Sequence, residues 1–388
     1  MEKQECAGPI FSKRIVVTLL FVAMVSRVLV FGTFGFLDYI DREERSSGFG
    51  EQLDSYLKKW DTGWYIPIAR EGYAVGQGVI DSGQSRYAFY PVVPFAVRFV
   101  AWTTGLKVSI AGVLLSNLAF IGSIFLFYRF CRLRGASQDC SLWACLLLAF
   151  CPHGFVFSAF YTESVFLFIS LLVVNLIASE CFVLGGLAGA ILTATRANGL
   201  FVGIYFLWSW ISSLWSGRRA GKSLWQSLLD NDRVLLGGAL VPLGLFLFWW
   251  YCFESTGDAF AQLNSLSEGW GRHSVAPWSN AWILLTSESY ANRFLVLWVL
   301  FLGIGAIVLC VRRMYSDFVF CVLNLGLFLS GSLSQSMLRY AIVLFPIYLG
   351  FALLLERRPA FLAVLLSIFA VTNTLLIYAW YSGDVLGI

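Results

Sequence analysis

Apolar residues in this chain fall into runs of membrane-crossing length separated by short polar stretches, with none of the strict alternation that marks half-buried strands. The first run, about residues 14 to 37, is long enough as a helix to cross a hydrocarbon core of roughly 30 Å, and Arg27 interrupts it. Ten further runs lie at approximately 108–128, 140–157, 161–178, 182–195, 199–215, 234–253, 292–311, 316–331, 339–355 and 360–380. The stretch 91–104 is apolar too, with Arg98 in its middle. As about 14 residues of helix it covers only roughly 21 Å, so it reads as a helix lying on the membrane surface. The pattern predicts an all-α polytopic membrane bundle of about eleven transmembrane helices, with residues 1–388 forming a single integral-membrane domain. A long first external loop occupies about 38–107, and a second lies at about 254–290.

Basic residues orient the bundle, because short loops rich in Lys and Arg stay on the cytoplasmic side. Alternation from a cytoplasmic N-terminus puts Arg129/Arg132/Arg134, Arg218/Arg219/Lys222, Arg312/Arg313 and Arg357/Arg358 all inside. Counting 91–104 as a span would throw the first cluster outside and shift every later one. The same alternation sends Asp61, the turn Tyr161-Thr162-Glu163, the turn Thr195-Arg196-Ala197-Asn198-Gly199, the loop 254–290 and the turn 334–339 to one non-cytoplasmic face. One pocket can draw on all of them.

Composition agrees: 59% of residues are hydrophobic and 13% charged, against about 25% charged in soluble domains. A net charge of +4 spread over short clusters gives no basis for nucleic-acid binding. The nine cysteines lie in or beside apolar segments, outside both long loops, and form neither a disulfide framework nor a zinc spacing. The first apolar run has no clear small-residue cleavage site after it and reads as an uncleaved span.

The chemistry is expected in the polar stretch 59–73, where the carboxylate of Asp61 is bracketed by Trp60, Trp64 and Tyr65. Asp61 has two readings: an N-cap for a helix starting at Thr62, or a general base beside aromatic faces that suit sugars and polyprenyl chains. Arg339 is either an interfacial arginine reaching for water or a ligand for an anion, since its fork matches phosphate oxygens. Arg196 and Glu163 are either a salt bridge or functional, and Asn198 either a turn former or a ligand contact. The two histidines, His153 and His273, make no metal site, and Asp230-Asn231-Asp232 reads as a capped helix start on the cytoplasmic side. No metal and no cofactor are expected. The loop 254–290, with Trp270, Arg272, His273 and Trp278, fits either acceptor binding or interfacial anchoring.

The pattern W-D-x-x-x-Y-x-x-I-A-x-x-G-Y in 60–73, followed by Ala88-Phe89-Tyr90-Pro91-Val92-Val93-Pro94, resembles the first external loop of the GPI mannosyltransferase 2 family and its bacterial relatives. Ala194-Thr195-Arg196-Ala197-Asn198-Gly199 and Arg339-Tyr340 before Pro346 resemble further elements of that family, and the Gly/Ser-rich 74–87 looks more like the bacterial members. The resemblance implies a type C membrane glycosyltransferase that inverts while moving mannose from a polyprenyl- or dolichyl-phosphate donor to a lipid-linked glycan. Asp61 would be its base, and Arg339 and Arg196 its donor-phosphate ligands. Trp60, Trp64, Tyr65, Tyr73, Arg86, Tyr90, Glu163 and Asn198 would contact substrate. The implied setting is a bacterial plasma membrane, or the endoplasmic reticulum in a eukaryote, with the site on the non-cytoplasmic face. The rival reading is a lipid or glycolipid transporter, which would place its polar residues near the midplane and not at one face.

Overall fold

The structure, a computed structural model, describes residues 10–41, 59–73, 83–221, 223, 226, 231–331 and 336–383. The charged run 41–45 beyond Asp41, most of the Gly/Ser-rich stretch, Lys222, Asp230 and residues 334–335 lie outside them. Among the described residues the regular secondary structure is helical apart from one isolated bridge, Ser274 to Gly331. The α-helices are α1 Lys13–Asp41, α2 Thr62–Glu71, α3 Val92–Thr104, α4 Val108–Leu133, α5 Gln138–Ala149, α6 Glu163–Ala178, α7 Phe182–Thr193, α8 Gly203–Arg219 and α9 Asp232–Leu240. They continue with α10 Leu243–Thr256, α11 Ala261–Trp270, α12 Pro277–Thr286, α13 Tyr290–Val311, α14 Tyr315–Leu329, α15 Met337–Ala341, α16 Phe345–Leu355 and α17 Pro359–Ser382.

Six described segments are long and apolar enough to cross a membrane: α1, α4, 197–219, 232–256, α13 and α17. Six shorter apolar helices accompany them, α3 among these. Each of the eleven apolar runs thus carries a helix, and together they form a polytopic helical membrane bundle. Close packing rests partly on glycine: a Cβ on Gly186 of α7 would run into the backbone of Gly237 in α9, so these two helices touch backbone to backbone as small-residue membrane interfaces do.

The shorter helices are short because the chain breaks on the way to one end of the bundle. Pro152, which lacks an N–H, follows the end of α5, His153 adopts φ +62, and a 3-10 turn spans Gly154–Ser158 before α6 begins at Glu163. His153 is fully buried with its ring stacked on Phe155. A second break places a 3-10 turn at Ala197–Val202 between α7 and α8. A third divides the run 339–355: α15 stands apart as a short helix and the apolar helix starts only at Phe345, so Arg339 and Tyr340 lie outside it. Loop 254–290 is itself mostly helix, α11 and α12.

Broken backbone in a membrane protein needs donors for the carbonyls it frees. For the first break the donor is Arg27, the residue that interrupts the first apolar run. Its guanidinium is buried, donates to the carbonyls of Gly154 (2.9 Å) and Ala149 (3.2 Å) and to Ser158 Oγ (3.1 Å), and lies 4.2 Å over the Phe120 ring. Arg27 therefore anchors the segment that delivers Tyr161 and Glu163. At the other end of the bundle Arg134 pairs with the buried Asp317 at 2.6 Å, and Ser137 donates to Glu356, so the basic clusters gather away from the breaks. Arg27→Met leaves two buried carbonyls without this donor and should cost about 1–3 kcal/mol, read as a lower thermal unfolding midpoint in detergent. An unchanged midpoint would show that those carbonyls find other donors.

Candidate active site

The breaks converge on Asp61. The chain around it is stitched to the bundle: Lys59 Nζ donates to the carbonyls of Trp380 (3.3 Å) and Tyr381 (2.7 Å), Tyr161 Oη donates to the Lys59 carbonyl (3.2 Å), and Thr62 Oγ1 donates to the Phe160 carbonyl (3.1 Å). Asp61 occupies the N-cap position of α2, but its carboxylate makes no capping hydrogen bond. It turns instead to Arg339, with Oδ2 2.7 Å from Nη2. Of the two sequence readings, the side chain does not serve as a cap.

Glu163 begins α6, where the helix N-terminus favours a carboxylate, and is 1% exposed. Its Oε1 lies 3.0 Å from Arg196 Nη1 and 3.2 Å from Arg339 Nε. The second contact is ionic and not an aligned hydrogen bond, and Arg339 Nη1 and Glu163 Oε2 have no hydrogen-bond partner although buried. The salt bridge anticipated between Arg196 and Glu163 is present, and a second arginine shares it. Around the chain Asp61, Arg339, Glu163, Arg196 lie aromatic faces: Arg339 Cζ sits 4.8 Å from the centroid of Tyr161 and 5.1 Å from that of Tyr340, and Arg196 Cζ is 4.2 Å from Tyr340. Arg272, from the loop after α11, is 5.3 Å from the same ring.

Apart from Tyr161, these residues line a cavity of about 590 Å³. Of the residues proposed from the sequence, Asp61, Tyr65, Tyr90, Glu163, Arg196, Asn198 and Arg339 line it. Asn198 also donates to Asn324 Oδ1 (2.9 Å), which ties the 3-10 turn to α14. The other four lie outside the lining. Trp60 is exposed at φ +59. Trp64 stacks on Phe89 (5.7 Å) and meets Trp270 edge-on (5.4 Å), buttressing the wall from behind. Tyr73 stacks on Tyr87 and donates to the Phe89 carbonyl (2.5 Å), and Arg86 pairs with Glu71 (2.7 Å) and the Gly72 carbonyl (3.0 Å); these two fold the loop.

The cavity also recruits residues the sequence did not single out. Gln262 on α11 is buried with Oε1 unpartnered, and Tyr90 Oη is likewise buried and unpartnered, so two of the residues that line the cavity hold neutral polar atoms without partners. Burial pushes the phenols of Tyr65 and Tyr90 up, with Asp61 adding to it at Tyr65, which keeps both protonated. Among the described residues no group of three or more His, Cys, Asp or Glu is arranged to hold a metal. His273 lines the cavity and His153 does not.

A family model described as "Mannosyltransferase (PIG-V)" matches residues 12–259. The chain belongs to the PIG-V mannosyltransferase family. A GPI mannosyltransferase 2 from Chaetomium globosum is 30% identical over 148 residues, 34% of this chain and 29% of that relative. Among solved structures, the chain is similar to ArnT from Cupriavidus metallidurans, determined with undecaprenyl phosphate, at a TM-score of 0.53 and 14% identity over 97% of this chain and 74% of ArnT. The Archaeoglobus fulgidus oligosaccharyltransferase, in a complex with zinc and sulfate, aligns at a TM-score of 0.47 and 10% identity over 92% of this chain and 52% of its own. This PIG-V family chain therefore spans less than a third of its fungal relative and about half of the archaeal enzyme, and the likeness to ArnT is one of fold.

The geometry separates stability from chemistry among the carboxylates. Glu163→Gln removes a buried charge shared by two guanidiniums and should cost about 3–5 kcal/mol. Asp61, with 27% of its side chain exposed, should change the unfolding midpoint far less when replaced by Asn. Equal losses in the two variants would show that Asp61 also holds the fold.

Proposed function

We propose that this protein transfers mannose from a polyprenyl- or dolichyl-phosphate donor to a lipid-linked glycan at the non-cytoplasmic face of the membrane, inverting the sugar. The observation that carries the reading is the pairing of the Asp61 carboxylate with the Arg339 guanidinium at 2.7 Å in a cavity edged by aromatic rings. The PIG-V family model, which matches the Asp61 side of the cavity, supports it.

In the reaction the acceptor hydroxyl oxygen forms a bond to the anomeric carbon of mannose. The bond from that carbon to the phosphate oxygen breaks, its electron pair leaves with the lipid phosphate, and Asp61 takes the hydroxyl proton. The leaving group is already an anion, so the site supplies positive charge instead of an acid; Arg339 and Arg196 do this. Arg339 Nη1, buried and unpartnered, offers a donor to such an oxygen. A phosphate competing for Arg339 loosens its hold on Asp61, which leaves the base available when the donor is bound. Tyr65, Tyr90, Asn198 and Glu163 line the same space and would position the sugars, with Gln262 adding an amide. The transporter reading has less support, since the polar side chains gather at one end of the bundle.

Asp61→Asn should abolish mannose transfer from labelled polyprenyl-phosphate-mannose while leaving thermal stability close to wild type; retained transfer would remove Asp61 from the role of base. In a cysteine-free background, a single cysteine at Glu71 should react with a membrane-impermeant thiol reagent applied from outside, and one at Ala220 should not. Both positions are exposed, so the reverse pattern would place the site on the cytoplasmic face.

A further inference from the structure

Three guanidiniums meet at the ring of Tyr340, and they are not equally engaged. Arg196 is committed to Glu163, and Arg339 to Asp61 and Glu163. Arg272, carried by the loop between α11 and α12, makes no ion pair with a carboxylate among the described residues; its hydrogen bond is to Tyr340 Oη, at 3.4 Å. Arg339 Nη2 reaches the same phenol oxygen at 3.4 Å. Both bonds are long beside the roughly 2.7–2.9 Å of a guanidinium on an anionic oxygen. Among the described residues that line the cavity the three arginines outnumber the two carboxylates, so these acids do not balance the positive charge, which is concentrated where Arg272, Arg339 and the Tyr340 oxygen converge.

We propose that Arg272 and Tyr340 form the docking point for the donor's lipid phosphate, the Tyr340 hydroxyl holding that place between Arg272 and Arg339 until a phosphate oxygen takes it. This rests on the polyprenyl-phosphate reading above and extends it to a guanidinium from the second external loop. Independent of those two long bonds, Arg339, which lines the cavity, keeps Nη1 buried and without a partner, a donor that a phosphate oxygen would satisfy.

The arrangement makes donor binding depend on pH. Facing Tyr340 are Arg272 from the loop after α11, Arg196 from the end of α7, Arg339 on its own helix and Asp61 ahead of α2; Glu163 and His273 line the same cavity. Burial alone would raise the phenol, but Arg272, Arg339 and Arg196 outweigh it and hold Tyr340 at about 7 instead of the usual 10. Below that value the phenol is neutral and yields to phosphate. Above it a phenolate neutralises Arg272 and Arg339 and repels the incoming anion, so affinity falls as pH rises through about 7.

The test uses the full chain, purified in nanodiscs, and polyprenyl-phosphate-mannose as probe, a phosphodiester whose own charge is constant between pH 6 and 8.5. Wild type should bind it roughly 5–10-fold more weakly at pH 8 than at pH 6.5, as one linked proton requires. Arg272→Gln should weaken binding at pH 6.5 at least tenfold, with Arg272→Lys in between because charge without the fork recovers part of the site. Tyr340→Phe should flatten the pH dependence. Thermal unfolding of each variant identifies one that misfolds, in which case Arg272→Lys decides. Binding by Arg272→Gln within twofold of wild type, or an unaltered pH profile in Tyr340→Phe, overturns the proposal. If wild type binds the probe no better than the phosphate-free polyprenol, the donor reading fails as well, an outcome distinct from either variant result.

Discussion

One buried carboxylate, Glu163, sits between two arginines that would otherwise repel each other, and the architecture of the cavity follows from that contact. Arg196 arrives from the break after α7 and Arg339 from the short helix ahead of α16, while Glu163 opens α6 after the break behind α5. Each arginine is also laid against a tyrosine ring, which lowers the cost of keeping its charge away from water. With Arg339 fixed in this way, its Nη2 meets Asp61 while Nη1 is left buried without a partner. The base and the cationic site are thus parts of one electrostatic chain and not two independent features.

That chain exists only because regular helix stops in three places. In hydrocarbon every freed carbonyl demands a donor, so irregular backbone survives where protein groups satisfy it. Arg27 does so for the segment behind α5, the Val92 N–H donates to the Ala194 carbonyl (3.4 Å) at the second break, and Tyr348 Oη donates to the Ile342 carbonyl (3.1 Å) at the third. An arginine in the first apolar run looks like a defect in a span, yet its guanidinium lies where the carbonyls of a distant segment need it.

The helical class and the convergence of Asp61, Glu163, Arg196, Asn198 and Arg339 were legible in the chain because both depend on local signals: apolar run length, and short polar clusters at the run ends. What was not legible depends on contacts between distant residues. Nothing near Arg86 says that it will pair with Glu71, or that Tyr73 will pack under Tyr87 and turn away from the cavity. The run 339–355 read as continuous because no charged residue follows Arg339 in it, but Pro346 at the first turn of α16 and the tight backbone at 341–345 detach Arg339 and Tyr340. Arg272 carried a faint signal, an arginine after Trp270 and Gly271 in an external loop, and only the folded position of α11 gives it significance.

Close contact between loops explains that position. Gly269 of α11 lies against Gly83 and Gln84, where a Cβ would come within 2.6 Å of the Gly83 carbonyl oxygen, so the second external loop is clasped directly to the first. The family match ends at residue 259, ahead of the Gly269 side of this clasp. Both acids and Arg196 lie within the matched stretch, whereas Gln262, Arg272, Arg339 and Tyr340 lie beyond it. The chamber is therefore assembled from two external segments far apart in sequence, registered to each other by a pair of glycines that leave no room for a side chain between them.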